Sequence, residues 1–346
     1  MEDVYVLSAV RTPIGKYGGA LACVPPCDLA AKVVREAVRR AGVDPAQAGH
    51  VVFGNVIHTE VRDMYLARVA AINGGLQTGT PALTLNRLCG SGLQAIVSAA
   101  QSILLGDCEV AVAGGAESMS RAPYWLPAMR WGQRMNDGAA TDPMAGALTG
   151  PFGACHMGVT AENVAADFGV SREDQDALAA QSHQRAAAAI AAGYFTEQIL
   201  PVEIPGKKGA TIVEADEHVR PSVSLEDMAR LRPAFAKDGT VTAGNASGIN
   251  DAAAAVVLAS ESFARGGPRP LGKMIGYAHA GVEPRIMGIG PVPAVRAVLA
   301  RTGLKLDEID VFEVNEAFAA QALAVARELG LPPVRGSSRS GGCRVL

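Results

Sequence analysis

The chain has 346 residues, 49% hydrophobic and 19% charged, enough for a large core and for two or three subdomains. A net charge of −3 leaves no global basic field for nucleic acid or an acidic membrane surface, so an anionic ligand has to be met locally. The opening MEDVYVLSAVRTPIG lacks a basic stretch followed by an apolar run, and no later apolar run reaches the roughly 18 residues of a membrane span, which reads as a cytoplasmic protein.

Short β-branched runs alternate with helical patterns. VYVLSAV (4–10) predicts a strand, and a helix follows from Asp28 to about Ala41, with Asp28 as N-cap and Gly42 as C-cap. HVVFGNV (50–56) is a second strand, Arg62 to about Asn73 a second helix, and PALTL (81–85) a third strand. A helix after Cys89 is marked by Leu93, Ile96, Val97, Ala100, Ile103 and Leu104 and stops at Gly106, and EVAVAGG (109–115) is the next strand. This alternation implies a parallel or mixed sheet covered on both faces. The 39 glycines and Ala-rich helices suit close packing on that sheet, and 5% aromatics leave a mostly aliphatic core.

From 118 to 249 the texture changes to loops and helices with two Trp and the polar stretch 206–235, which reads as an insertion. It closes on TVTAGNASGINDAAAAVVLAS (240–260), a turn feeding an apolar strand. Beyond it the first unit returns. VREAVRRAGVDPAQAGHVVFGN (34–55) set over VRAVLARTGLKLDEIDVFEVNE (295–316), an offset of 261, matches at 34/295, 35/296, 40/301 and 42/303 and runs helix, glycine stop, polar turn, apolar strand, Asn. An internal duplication is the reading, with a strand at 311–314.

Six cysteines, at 23, 27, 89, 108, 155 and 343, lack the paired spacing of a zinc site, and CVPPC (23–27) has no second pair or histidine cluster, so no metal is expected. Cys89 stands apart. In NRLCGSGLQAI (86–96) it lies at the carboxyl end of a strand and the N-terminus of a helix, where ligands gather in open α/β sheets and where unpaired N–H groups and the helix dipole favour a thiolate. Gly90 and Gly92 keep the approach clear of side chains. A buried small hydrophobe is the competing reading. Gly-x-Ser-x-Gly is not present around Ser91, which reads instead as a helix cap.

NRLCGSGLQAIVSAAQSILLGDCEVAVAGGAESMSRAPY (86–124), CHMGVTAENVA (155–165), TVTAGNASGINDAAAAVV (240–257), MGIGPVPA (287–294) and EVNEAFAAQ (313–321) closely resemble the thiolase family in order and spacing, from residue 4 to about 331. HTEVRDMYLARVAAINGG (58–75) further resembles the bacterial β-ketothiolases that supply short 3-ketoacyl-CoA for polyester synthesis. The resemblance implies an α/β fold, a duplicated α-β-α-β-α layered architecture with an inserted loop domain. Residues 1–117, completed by about 250–266, form the N-terminal half; 118–249 the coenzyme A-binding insertion; 267–331 part of the C-terminal half.

The same resemblance implies the chemistry. Cys89 is the acyl-accepting nucleophile for thiolysis of short 3-ketoacyl-CoA and for the reverse Claisen condensation. Asn315 holds a water in an oxyanion site, and His156 lines the pocket beside the thioester. Ser247 hydrogen-bonds the pantetheine arm, Ala243 and Gly244 let it pass, and Leu148, Met157, Phe235 and Phe318 form its apolar tunnel. Met287 faces the acyl group, and Arg220 is the best candidate for the phosphates, ahead of Lys207, Lys208, Arg230 and Arg232. Glu117 reads as structural, at a subunit contact. Coenzyme A is a substrate, no resident cofactor is expected, and the implied assembly is a homo-oligomer, a dimer or tetramer.

Two family signatures, Gly-His-Pro and Cys-x-Gly-Gly-Gly, do not occur in this sequence, which after Leu331 reads PPVRGSSRSGGCRVL. The family's histidine activates the nucleophile and its second cysteine moves the α-proton, so the expectation is a truncated second half, a disordered non-family tail at 332–346 and severely reduced turnover. Two other classes compete: a thiolase-derived acyl-CoA-binding or interaction protein without turnover, and a decarboxylating ketoacyl synthase. HMGVTAEN and GNASGIND argue against the synthase, whose second half carries a His and Asn or two His.

Overall fold

The structure, a computed structural model, describes residues 3–153, 155–207 and 209–331. The chain divides into two compact units, the first holding residues up to 147, 195–218 and 248–275, the second 148–194, 219–247 and 276 onward. Of the expected insertion, 118–147 and 195–218 fall in the first unit and the remainder, but for 248–249, in the second.

The frame of the first unit is a sheet of seven strands: β1 (Val4–Arg11), β2 (Gly15–Lys16), β3 (His50–Gly54), β4 (Ala82–Leu85), β5 (Val110–Ser118), β6 (Asn250–Ser260) and β7 (Gly272–Met274). Their order is β7-β1-β6-β5-β3-β4, with β2 beside β6. The sheet is mixed, since β3 runs parallel to β4 and β5 while β6 runs antiparallel to β1 and β5. Two helices, α2 (Leu66–Asn73) and α3 (Ser91–Leu104), make the crossovers that parallel pairing requires. Because both faces are covered, β3 is a continuous apolar run. Val51 and Phe53 join Val110 and Val112 in the core under α1 (Pro26–Ala41) and α2, while Val52, Ala111 and Ala113 meet Ala95, Ala99 and Ile103 of α3.

Local chemistry sets the helix ends. Gly42 closes α1 at φ 62, its N–H on the Arg39 and Val38 carbonyls, as expected. Asp28 is not the N-cap. Pro26, with φ preset for the first helical position, starts α1 two residues earlier, behind Pro25, and puts Asp28 in the first turn. The helix expected from Arg62 begins as a 3-10 turn, Val61–Tyr65, because the buried Asp63 carboxylate turns back to accept the Thr59 and Glu60 N–H groups at 2.7 and 3.1 Å.

The second unit gathers α4 (Met157–Asp167), α5 (Arg172–Ala191), α6 (Pro291–Thr302) and α7 (Ala319–Leu329). Val164, Ala165, Val170, Ile289, Val292, Ala320, Ala324 and Val325 form its core. Here the repeat is visible in local structure. α6 ends on Gly303 at φ 75 as α1 ends on Gly42, and the offset of 261 residues carries the 3-10 turn Pro45–Gln47 onto Leu306–Glu308. The copies then part. Among the described residues 276–331 contain no strand, so 311–314 is not the expected strand. β3 is paired along both edges, whereas Val311–Val314 has no ladder partner among the described residues; its side chains still alternate, Val311 and Glu313 exposed, Phe312 and Val314 half-buried.

Candidate active site

Cys89 sits in a tight elbow between β4 and α3 in the first unit. The Asn86 Oδ1 accepts the Leu88 N–H at 2.8 Å, and Leu88 is forced to φ +48, a left-handed conformation costly for a branched side chain. The Arg87 N–H donates to Ser91 Oγ at 2.8 Å, and the Ser91 hydroxyl donates on to the Leu88 carbonyl at 2.7 Å. Gly90 is the N-cap and Ser91 the first helical residue, so Cys89 stands one residue before the cap. Ser91 therefore does not cap the helix; it reaches back and fastens the loop. The Cys89 side chain is exposed, which rejects the buried-hydrophobe reading, and among the described residues its thiol has no hydrogen-bond partner.

The glycines around it do different work. A Cβ on Gly92 would meet nothing within 4 Å, in keeping with a clear approach. Gly54 at the end of β3 is the one that packing requires, because a Cβ there would lie 2.6 Å from the Ser91 Cβ. Sequence reasoning did not single out Gly54, although a glycine closing the apolar run HVVFG was its signal. Leu93, expected on the buried face of α3, is 75% exposed beside this elbow.

Glu117 fastens the loop that follows β3. Its carboxylate accepts the Val56 and Ile57 N–H groups at 2.8 and 3.0 Å and the Asn55 amide at 3.2 Å. Burial pushes its carboxyl up to about 7 against the pull of those backbone donors. Cys27 is buried and donates to Asp63 Oδ1 at 3.2 Å; burial, with the Asp63 carboxylate beside it, raises its thiol well above the ordinary range. Among the described residues no group of His, Cys, Asp and Glu could hold a metal ion.

In the second unit the structure brings together five of the expected residues. His156 caps α4, its Nδ1 accepting the Gly158 N–H at 3.0 Å, which assigns the proton of the neutral ring to Nε2. The imidazole stacks on Phe235, centroids 4.9 Å apart, and Phe235 meets Phe318 edge-on at 6.1 Å. Gly158 makes this possible, since a Cβ there would lie 2.3 Å from Phe235 ring atoms. Leu148 accepts the Met157 N–H at 2.8 Å beside the same histidine.

Backbone bonds tie the Gly/Asn/Ser turn to the segment after Asn315. Ser247 N–H donates to the Ala317 carbonyl at 3.0 Å, Ala319 N–H to the Asn245 carbonyl at 2.9 Å, and Ala246 bridges Phe318. Ser247, Ala243 and Asn315 are exposed, with no side-chain hydrogen bond among the described residues. Gly244 serves packing: a Cβ would fall 2.4 Å from Leu231 Cδ1 and 2.5 Å from Met228 Sδ. Beside Asn315, the Glu316 carboxylate is held by the Ser182 hydroxyl at 2.6 Å, and burial raises its carboxyl. Met287 is 44% exposed in the turn Pro284–Ile289. Arg220 is exposed, with its backbone N–H on His183 Nδ1; Arg230 is paired with Glu226; Lys207 lies in the first unit; Lys208 and Cys343 lie outside the described residues.

This exposed cysteine on a strand-to-helix elbow, with the histidine-capped helix and the stitched Asn/Ser turn of the other unit, stands within a chain matched almost end to end by two family models. The thiolase N-terminal domain covers residues 4–262 and the thiolase C-terminal domain residues 268–343. The chain belongs to the thiolase family. It is an enzyme of the acyltransferase class by that membership. A curated relative, the beta-ketothiolase BktB of Cupriavidus necator, is 59% identical over 99% of this chain and 87% of its own length. An acetyl-CoA acetyltransferase of Chromobacterium violaceum is 48% identical over 99% of this chain and 91% of its own. Among solved structures, the Bacillus anthracis acetyl-CoA acetyltransferase superposes with a TM-score of 0.94 at 46% identity, covering 96% of this chain and 84% of that one. Human mitochondrial 3-ketoacyl-CoA thiolase in complex with CoA does so at 0.92 and 43%, covering 96% and 83%.

These matches correct one expectation. The C-terminal domain is matched through residue 343, not 331, so the stretch from 332 is not foreign to the family, and neither a truncated second half nor severely reduced turnover finds support. The reading as an inactive acyl-CoA-binding protein is not favoured. Among the described residues no helix is long and apolar enough to cross a membrane.

Proposed function

We propose that this thiolase cleaves short 3-ketoacyl-CoA through an acyl-Cys89 intermediate and runs the reverse condensation on the same thiol. The exposed Cys89 in its fastened elbow carries the reading. The Cys89 thiolate bonds to the keto carbon, the bond between the α-carbon and that carbon breaks, and the electron pair stays on the α-carbon as a thioester enolate. The enolate takes a proton and leaves as acetyl-CoA. A second coenzyme A thiol then attacks acyl-Cys89, losing its proton as the Cys89 sulfur departs. Neither Gly-His-Pro nor Cys-x-Gly-Gly-Gly occurs in the sequence.

Coenzyme A is the co-substrate, with no resident cofactor. The relative named beta-ketothiolase and the human structure that holds CoA support coenzyme A as co-substrate. His156 faces the thioester through Nε2, the nitrogen its Gly158 bond leaves for donation. Asn315 carries a water for the oxyanion, and Ser247 meets the pantetheine arm past Ala243 and Gly244. Leu148, Met157, Phe235 and Phe318 supply apolar walls, Met287 meets the acyl group, and Arg220 a phosphate. The working unit is a cytoplasmic homo-oligomer. The test is to mix the protein with acetoacetyl-CoA, quench, and map mass increments: an acetyl group on Cys89, absent in Cys89→Ser, supports the proposal, and an unmodified Cys89 contradicts it.

A further inference from the structure

The elbow that presents Cys89 is held at a conformation its own residues resist. Leu88 sits at φ +48 with its side chain 51% exposed, so no burial of that side chain offsets the backbone cost. Two backbone turn bonds, Gly90 N–H to the Arg87 carbonyl at 3.1 Å and Ser91 N–H to the Leu88 carbonyl at 3.0 Å, oppose relaxation, and one buried hydroxyl adds to them. Ser91, 5% exposed, accepts the Arg87 N–H and donates to the Leu88 carbonyl, closing a ring of bonds across the two residues that precede the cysteine. Asn86 Oδ1 on the Leu88 N–H closes the other side. The serine is seated by the close approach of Gly54, where no Cβ fits.

We infer that Ser91 is a positioning residue for the reaction: its hydroxyl, clamped between Arg87 N and Leu88 O, fixes the direction in which the Cys89 sulfur points. The inference rests on Cys89 being the nucleophile. Ser91 touches no reacting atom and acts through the backbone of residues 87 and 88. Without the hydroxyl the Leu88 peptide relaxes toward negative φ, and the thiol remains exposed but loses its line of attack. Misplacing a nucleophile by a fraction of an ångström to an ångström costs about ten- to a hundredfold in rate.

The experiment compares two reactions of the same thiol in the full chain. Acylation by acetoacetyl-CoA, followed by quenched mass spectrometry, needs a directed attack; alkylation by iodoacetamide needs only an exposed thiol. In Ser91→Ala the expected result is acylation slowed at least about tenfold, alkylation of Cys89 within about twofold of the parent, and KM for coenzyme A unchanged. Asn86→Ala is expected to act in the same direction and Asn86→Asp, which keeps the acceptor, to restore the rate; this pair decides the matter if Ser91→Ala does not fold. Equal acylation in parent and Ser91→Ala, or in Asn86→Ala and Asn86→Asp where that pair decides, overturns the inference alone. An unacylated Cys89 in the parent overturns the nucleophile assignment and the inference with it.

Discussion

Gly158→Ala puts the packing of His156 to a quantitative test. A methyl at position 158 falls 2.3 Å from two ring carbons of Phe235, more than an ångström inside ordinary contact, and the ring has little room to retreat while stacked on His156 at 4.9 Å and set edge-on to Phe318 at 6.1 Å. Two effects oppose each other. Alanine is favoured over glycine in a helix by about 0.5–1 kcal/mol. Overpacking costs about 1–3 kcal/mol, and losing the aromatic pairs about 0.5–1.5 kcal/mol more. The expected net is a loss of about 0.5–4 kcal/mol. The decisive comparison is a double-mutant cycle with Phe235→Ala, read by urea denaturation. With the ring gone, Gly158→Ala should reverse sign and stabilise by a few tenths to about 1 kcal/mol. The same sign and size in both backgrounds would show that the Phe235 ring is not what excludes a methyl at position 158.

Three further outcomes follow from the first unit. Glu117, with its carboxyl near 7 and an unfolded value near 4.5, binds its proton more tightly when folded, so its contribution to stability is greatest below 4.5 and is lost as pH rises through 7. The stability difference between the parent and Glu117→Gln should therefore fall by up to about 3 kcal/mol between pH 4.5 and 8, and a constant difference would contradict the assignment. Among the described cysteines, iodoacetamide at pH 8 should label the exposed Cys23 and Cys89 first and Cys27 last, since burial and Asp63 hold Cys27 protonated; peptide mapping over time reads the order, and early labelling of Cys27 would remove Asp63 as its partner. Phe53, fully buried beneath α1 and α2, should cost about 3–5 kcal/mol as Phe53→Ala, and a loss below 1 kcal/mol would contradict the core.

Five of the seven strands, β1, β3, β4, β5 and β6, were legible as short apolar runs, and HVVFG needs no alternation to be seen, whereas Gly15–Lys16 and Gly272–Met274 carry no such run and were not. Helix starts were less so, because proline placement at 25–26 and a carboxylate folding back at Asp63 override the periodic pattern. The repeat was legible down to its 3-10 turns, but the strand expected at 311–314 depends on a ladder partner, which sequence cannot supply. The place of Cys89 between a strand and a helix was readable from the apolar runs on either side, while its reading as the nucleophile drew on the family motif. The residues that hold it were not, because the Ser91 clamp and the Gly54 approach join positions that no periodicity links. His156 and Asn315 drew their readings from family motifs; what geometry adds is the Nδ1 bond that orients the ring and the backbone stitching of 245–247 to 317–319.

The proposed acyl transfer runs through Cys89. Thiolysis of acetoacetyl-CoA by coenzyme A, measured with protein of confirmed intact mass and with Cys89→Ser alongside, tests it most directly. The expected result is acetyl-CoA formation by the parent with an acetyl group on Cys89, and neither in the variant. Equal turnover by Cys89→Ser, or a folded parent that forms neither acetyl-CoA nor an acetylated cysteine, would contradict it.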